Sequence, residues 1–192
     1  ESLLESVLLI GGPEIVPFFL AENPTPYDGD AAVPSDGYYG AANPYALLPD
    51  WAVGRIPGAA GPNPALLIQL LETAAGLGVL HPHEKVFGYV TEVWRDAAKI
   101  VYAEIDDPAH LLVSPPTLAA SFDRSRLDGA RLIYCNLHGV PEGPPWYGQS
   151  EAQPALVAAL RPSDLAGLDL RGAIVVSEAC YGALIAGRTA ET

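Results

Sequence analysis

The sequence predicts an α/β protein with a mostly parallel sheet and helices on both faces of that sheet. Short apolar runs without alternation recur along the chain, as in strands that are buried on both faces. Segments with apolar residues at helical spacing lie between these runs, and strands that alternate with helices build βαβ units. Gly and Pro, at 19 residues each, punctuate the chain and form no repeat.

Five apolar runs are predicted as buried strands. Each is bounded by Gly, Pro or Asp, which commonly end strands. A shorter run, HLLVS at 110–114, is a weaker sixth candidate. The five runs are VLLIGG (7–12), WAVGRI (51–56), KVFGYVT (85–91), RLIYCNL (131–137) and GAIVVS (172–177).

Four segments are predicted as helices, at residues 63–78, 94–107, 115–129 and 151–165. The first has Pro64 near its start and ends in glycines, which is the usual order of these two residues in a helix. Residues 21–50 are rich in Pro, Gly, Asn, Asp and Tyr. This composition predicts a long loop, either functional or disordered.

Composition limits the function classes. The chain has 192 residues, 49% of them hydrophobic and 17% charged, which predicts one globular domain. A formal net charge of −13 argues against nucleic acid and anionic membranes as partners, because phosphate contacts need clustered Lys and Arg. The same charge is compatible with a basic substrate. No apolar run is long enough to span a bilayer, and the first residues do not resemble a signal peptide.

Three reactive side chains follow predicted strands: Glu92, His138 and Cys180. Ligands of open parallel sheets bind where the strands end at their carboxyl edge. A cysteine nucleophile needs a base, and the base often needs a third group that orients it. His138 is therefore the predicted base for Cys180, and Glu92 is the predicted orienting carboxylate. The N–H groups of Gly139 and Cys180 are the predicted oxyanion donors.

Other interpretations of these residues stay open. Cys180 could be a small core hydrophobe, and with only two cysteines in the chain a single bridge to Cys135 is possible. Residues 178–182 loosely resemble a nucleophile elbow, but in that fold the histidine follows the nucleophile, and every histidine here precedes Cys180. The HPHE stretch at 81–84 is a weak metal candidate because no second ligand pair accompanies it. No phosphate-binding glycine loop is present, so no cofactor is predicted.

Five segments in order resemble the gingipain family of caspase-fold cysteine peptidases. The resemblance implies a caspase-like three-layer sandwich and a cysteine endopeptidase that acts on protein or peptide substrates. It implies His138 as base, Cys180 as nucleophile, Gly139 as oxyanion donor and Glu92 as the third, acidic residue. The segments are VLLIGGPEIVPFF (7–19), PSDGYYG (34–40), DWAVGRIPG (50–58), YCNLHGVPEGPPWYG (134–148) and IVVSEACYGA (174–183).

The chain also departs from the family pattern. The glycine after the nucleophile comes one residue earlier than in the family. The family fold continues well beyond the nucleophile, whereas 12 residues follow Cys180 here. We therefore expect residues 1–192 to be one caspase-like domain that is incomplete at its C-terminus, with further segments or domains elsewhere. The resemblance also implies a secreted protein.

The resemblance further implies how a substrate is selected. An acidic residue in the strand-to-helix stretch after Glu92 recognises arginine in the family, which makes Asp96 the candidate for binding Arg or Lys. Asp96 could equally serve only the helix N-terminus. Asp36 and Glu142 are the alternative carboxylates, and Trp146 is a further candidate for substrate binding. The alternative function is a silent or signalling module, similar to CHAT or separase proteins, that acts on or assembles with one protein partner.

Overall fold

The computed structural model describes residues 4–25, 29–43, 48–58, 64–78, 84–182 and 184. The described residues form two compact units, one that extends to Ala75 and one from Gly76 to Leu184, where the sequence predicts one domain. The predicted mixed α/β class is confirmed, with a parallel four-stranded sheet. Within the described ranges, no helix has the length and apolar character to cross a membrane.

The first unit contains two small sheets and one helix. A parallel pair joins the first and fourth strands, and an antiparallel pair joins the second and third. This antiparallel pair lies mostly in the stretch predicted as a loop, so the loop prediction is wrong there. The elements are β1 (Ser6–Ile10), β2 (Phe19–Glu22), β3 (Ala32–Ser35), β4 (Ala52–Ile56) and α1 (Ala65–Ala75).

An ion pair connects the parts of the first unit. The Arg55 guanidinium donates to both carboxylate oxygens of Asp36, at 2.7 and 2.5 Å. It also donates to the Gly11 carbonyl at 2.8 Å and lies 4.7 Å from the centre of the Phe18 ring. Bidentate Arg–carboxylate pairs fix geometry as well as contributing energy. Two segments that carry the family resemblance therefore meet through this pair.

The second unit contains the parallel sheet, in the order β11-β7-β5-β6, and an antiparallel sheet in the order β10-β9-β8. Every described apolar run that was predicted as a strand forms one, including the weaker run at 110–114. The strands are β5 (Val86–Thr91), β6 (Leu112–Ser114), β7 (Leu132–Asn136), β8 (His138–Val140), β9 (Gly143–Gly148), β10 (Val157–Leu160) and β11 (Ile174–Ser177). The helices are α2 (Arg95–Tyr102) and α3 (Pro162–Leu165).

The core lies on both faces of the parallel sheet. Successive side chains of a strand point to opposite faces. Ile133 and Cys135 accordingly join the core cluster on one face, and Tyr134 joins the cluster on the other. Helix α2 covers the Tyr134 face through Ala98 and Tyr102. These strands are buried on both sides, as their uninterrupted apolar sequences predict.

Two predicted helices are wrong. Residues 115–129 form turns and one short 3-10 turn at Arg124–Arg126. Residues 151–165 form β10 followed by the four-residue α3. Pro162 is the first residue of α3, where proline is tolerated in a helix, and the run VAAL is short enough to suit either a helix or a strand. The face opposite α2 is therefore covered by β10 and by loop residues such as Phe122, and the described residues of this unit do not place helices on both faces of the sheet.

Strand β11 is less buried than predicted. It pairs with β7 on one side and is an edge strand among the described residues. Ile174, Val175 and Val176 are 40%, 53% and 43% exposed. Its composition is that of a central strand, but its position is that of an edge.

Candidate active site

The two residues predicted as base and nucleophile follow neighbouring strands. His138 comes after β7 and begins β8, where it pairs with Tyr147 of β9. Cys180 follows β11, which lies beside β7 in parallel. The carboxyl ends of parallel neighbours share one edge of a sheet, where open α/β sheets bind ligands. The topology thus places both residues at that edge.

The Cys180 loop turns sharply after its strand. The Glu178 N–H extends the β11–β7 ladder by donating to the Cys135 carbonyl at 2.9 Å, and the Gly182 N–H donates to the Ala179 carbonyl at 3.0 Å. Tyr181 has a φ of +57°, which side chains other than glycine rarely adopt. Cys180 is exposed and Cys135 is buried, and both are free thiols. The structure therefore has no bridge between them.

Gly139 is where the two loops touch. A Cβ at Gly139 would overlap the Cys180 carbonyl oxygen and would lie 2.9 Å from its carbonyl carbon and 3.3 Å from its nitrogen. Real Cβ atoms do not approach backbone this closely, so only glycine permits the contact. The backbone of the nucleophile candidate thus packs directly against the residue that follows the base candidate.

The His138 ring sits against an aromatic neighbour. The ring centroids of His138 and Trp94 are 4.1 Å apart, with an interplanar angle of 50°. His138 Nε2 is buried and has no hydrogen-bond partner among the described residues. Burial lowers the pKa of His138, and an interaction with the Gln149 side chain acts in the opposite direction. The surroundings therefore favour the neutral imidazole, which is the form that can accept a proton.

A pair of hydrogen bonds holds the turn that carries Trp94. The buried Thr91 hydroxyl donates to the Gln149 carbonyl at 3.0 Å and accepts from the Gln149 N–H at 2.8 Å. The Val93 N–H donates to the same carbonyl at 3.3 Å. We call these contacts the Thr91–Gln149 clamp. The clamp ties the end of β5 to the end of β9, so that the turn after β5 lies beside β8.

Glu92 and Asp96 both face Arg95. The Glu92 carboxylate lies 3.8 Å from the Arg95 guanidinium. Asp96 accepts from Arg95 Nε at 3.0 Å, and its side chain is 81% exposed. This hydrogen bond to Arg95 lowers the pKa of Asp96. No hydrogen bond between Glu92 and His138 is found among the described residues, and Glu92 as the orienting carboxylate stays a prediction.

The remaining substrate-binding candidates lie in different surroundings. Asp36 belongs to the first unit and is held by Arg55, so its carboxylate already has a buried cationic partner. Glu142 is exposed in the turn between β8 and β9. Trp146 is partly buried and packs against the core cluster that contains Cys135, which gives this tryptophan a structural contact.

Metal chemistry receives no support from the described side chains. No group of three or more His, Cys, Asp or Glu residues in the described ranges could hold a metal ion. His81 and His83, the weak metal candidates, lie outside the described residues.

Three residues near the site were missed by the sequence reasoning. Trp94 follows Glu92 by two positions, and the sequence prediction for that stretch names carboxylates only. Gln149 comes directly after β9, and nothing in its sequence neighbourhood marks it. Glu178 accepts from the Tyr134 hydroxyl at 3.4 Å, which links the nucleophile loop to β7. In the sequence, only the position of Glu178 two residues before Cys180 indicates that it lies near the site.

The fold and the site define a mixed α/β protein with a histidine and a cysteine at the carboxyl edge of a parallel sheet. No family model, curated protein or solved structure matches the chain.

Proposed function

We propose that the protein is a cysteine endopeptidase with a caspase-like three-layer α/β fold, in which Cys180 is the nucleophile and His138 the base. One observation carries this proposal: the backbone of Cys180 packs against Gly139, beyond the ends of two adjacent parallel strands. An exposed thiol and a neutral imidazole on touching loops are the two groups that thiol catalysis requires.

The reaction follows from these groups. Neutral His138 first takes the proton of the Cys180 thiol. The resulting thiolate attacks the peptide carbonyl carbon, and the N–H groups of Gly139 and Cys180 donate to the oxygen that becomes negative. Protonated His138 then gives its proton to the leaving amine, and a thioester remains on Cys180. His138 next removes a proton from water, which attacks the thioester and releases the carboxylate and the thiol.

Three groups support the orientation of the base in this proposal. Glu92 is the acidic residue that the family resemblance implies, and it lies in the same turn as Trp94. Trp94 contacts the imidazole, and the Gln149 side chain interacts with it. If a carboxylate orients His138 during the reaction, Glu92 must leave Arg95 and accept a hydrogen bond from the imidazole ring.

A peptide assay tests the proposed activity. Wild-type protein, Cys180→Ala, His138→Ala and Cys135→Ala are incubated with a mixed library of fluorogenic peptides. We expect cleavage by the wild type and by Cys135→Ala, and none by the other two variants. Cleavage that survives in Cys180→Ala would contradict the assignment of the nucleophile.

Cleavage after Arg or Lys is the proposed specificity, with Asp96 as the binding carboxylate. A basic side chain that enters a pocket must meet a carboxylate, because an unpaired buried charge is very costly. The exposed Asp96 would leave its ion pair with Arg95 and pair with the Arg or Lys side chain of the substrate. A substrate panel varied at the residue before the cleaved bond tests this in wild type and Asp96→Ala. Equal rates for Arg, Leu and Asp substrates in the wild type would contradict basic specificity.

One observation favours the alternative, an assembly or signalling module. Strand β11 leads directly to Cys180 and exposes Ile174, Val175 and Val176 along a sheet edge. Exposed apolar strand edges are templates for pairing with another chain. A module of this kind would bind its partner unchanged in Cys180→Ala and would cleave no peptide.

A further inference from the structure

We infer that Trp94 is a positioning residue for His138, whose indole ring covers the imidazole, excludes water from it and fixes its orientation. The inference rests on the proposed function, in which His138 is the base. It assigns to an aromatic ring part of the role that the sequence assigns to the carboxylate of Glu92.

The contact itself is close. The centroid distance of 4.1 Å is shorter than the roughly 4.5–7 Å that is usual for aromatic pairs, so the two rings are in van der Waals contact. Trp94 is 37% exposed. The indole therefore contacts the imidazole and also reaches solvent, so it can shield the part of the ring that it covers.

The placement of Trp94 is fixed by the backbone. The Thr91–Gln149 clamp holds the start of this turn at two points. One is the Thr91 hydroxyl and the other is the Val93 N–H, and both bind the backbone of Gln149. Gln149 directly follows β9, the strand that pairs with His138. Gln149 thus binds the turn that carries Trp94 and also continues β9, the strand that pairs with His138. Hydrogen bonds between backbone segments therefore connect the segments that carry the two rings.

The unpartnered His138 Nε2 is the second observation. Buried polar atoms nearly always have a hydrogen-bond partner, and exceptions often belong to functional sites. A base whose ring is held by packing has no competing hydrogen bond at this nitrogen. A ring held by a hydrogen bond at that same nitrogen could not accept a proton there.

Charged groups close to the ring do not explain its placement. Glu92 and Arg95 flank Trp94 and pair with each other. Tyr147 lies opposite His138 on β9, and Cys180 lies beyond β11. The lowered pKa of His138, which arises from burial, agrees with a ring that is covered by an apolar neighbour.

The test compares Trp94→Ala, Trp94→Phe and Ile100→Ala with the wild type. Ile100 lies on α2, shortly after Trp94, and is 74% exposed, so it controls for loss of apolar surface. The His138 titration is followed by NMR of the imidazole protons, assigned with His138→Gln. In parallel, kcat and KM are measured for a peptide that the wild type cleaves.

We expect Trp94→Ala to raise the pKa of His138 toward its ordinary range, because water reaches the ring. We expect kcat to fall between about tenfold and 100-fold with little change in KM, as when a reacting group loses its orientation. In Trp94→Phe, the pKa of His138 and kcat should both stay close to their wild-type values. Ile100→Ala should change neither the pKa nor kcat.

A His138 titration and a kcat that are both unchanged in Trp94→Ala would overturn the inference. If Trp94→Ala does not fold, Trp94→Leu carries the test, since it keeps apolar volume and removes the ring. A wild type that cleaves no peptide would contradict the proposed function, while the His138 titration would still decide whether the indole covers the ring.

Discussion

Gly139 shows how a single residue determines whether the two loops of the site can meet. The sequence suggests glycine there because an oxyanion donor needs an open approach. The structure adds a steric reason, because the Cys180 carbonyl occupies the space that a Cβ would need. Both reasons require that the residue has no side chain, so substitution should affect folding and catalysis together.

Gly139→Ala is expected to destabilise the protein by about 1–3 kcal/mol, the usual cost of overpacking, and to abolish peptide cleavage. Gly78→Ala is the control, because no atom of the described residues lies within 4 Å of a Cβ at that position. The free energy of unfolding in urea and the cleavage rate are measured for both. A Gly139→Ala variant that behaves like Gly78→Ala would show that the loops do not touch as described.

Substitution of the two cysteines should have opposite effects: one variant should lose stability, and the other should lose peptide cleavage. Cys135 is fully buried, and burial raises the pKa of its thiol to about 12. Cys135→Ala should cost about 1–3 kcal/mol of unfolding free energy by leaving a cavity, with most activity kept. Cys180→Ala, at an exposed position, should change stability by no more than about 0.5 kcal/mol and abolish activity. The reverse pattern in urea unfolding and peptide assays would refute the assignment of the two thiols.

Among the elements, the strands were predictable and the covering segments were not. Runs such as RLIYCNL have no polar alternation, which suits only burial on both faces, and parallel pairing then places His138 and Cys180 at one edge. The segments at 115–129 and 151–165 satisfy helical spacing, but prolines and β10 pairing override it. The Trp94–His138 contact depends on how a turn folds back on a hairpin, and no sequence spacing encodes that.

The Thr91–Gln149 clamp gives a prediction at the same scale. Thr91→Val keeps the shape of the side chain and removes the hydroxyl that serves two backbone groups of Gln149. A loss of about 1–3 kcal/mol in unfolding free energy is expected, since the freed groups are left unsatisfied. Ser121→Ala removes an exposed hydroxyl that also bonds backbone, and it should cost no more than about 0.5 kcal/mol. Equal losses in the two variants would show that the clamp is not a stabilising contact.

For the whole molecule, the partly buried His138 implies a pH dependence of stability. The folded pKa of His138 lies below its unfolded value of 6.5, so below that pH the unfolded chain binds a proton that the native chain does not. His138 therefore favours unfolding increasingly as pH falls through 6.5 toward its folded pKa, and stability rises again as pH increases. Unfolding free energies from pH 5 to pH 8 should fall more steeply on acidification for wild type than for His138→Gln, with about the same carboxylate contribution in both. Parallel curves would contradict a His138 pKa that folding lowers.

The central claim, that His138 and Cys180 act as a pair, is tested most directly by the alkylation rate of Cys180. Cys135 is no useful reference for this rate, because its burial alone makes it slow. Native protein is treated with iodoacetamide at pH 7, and peptide-resolved mass spectrometry gives the Cys180 rate in wild type, His138→Ala and Ile100→Ala. Because a neighbouring base promotes thiolate reactivity, the rate should fall about tenfold or more in His138→Ala and stay unchanged in Ile100→Ala. Equal Cys180 rates in wild type and His138→Ala would contradict the claim.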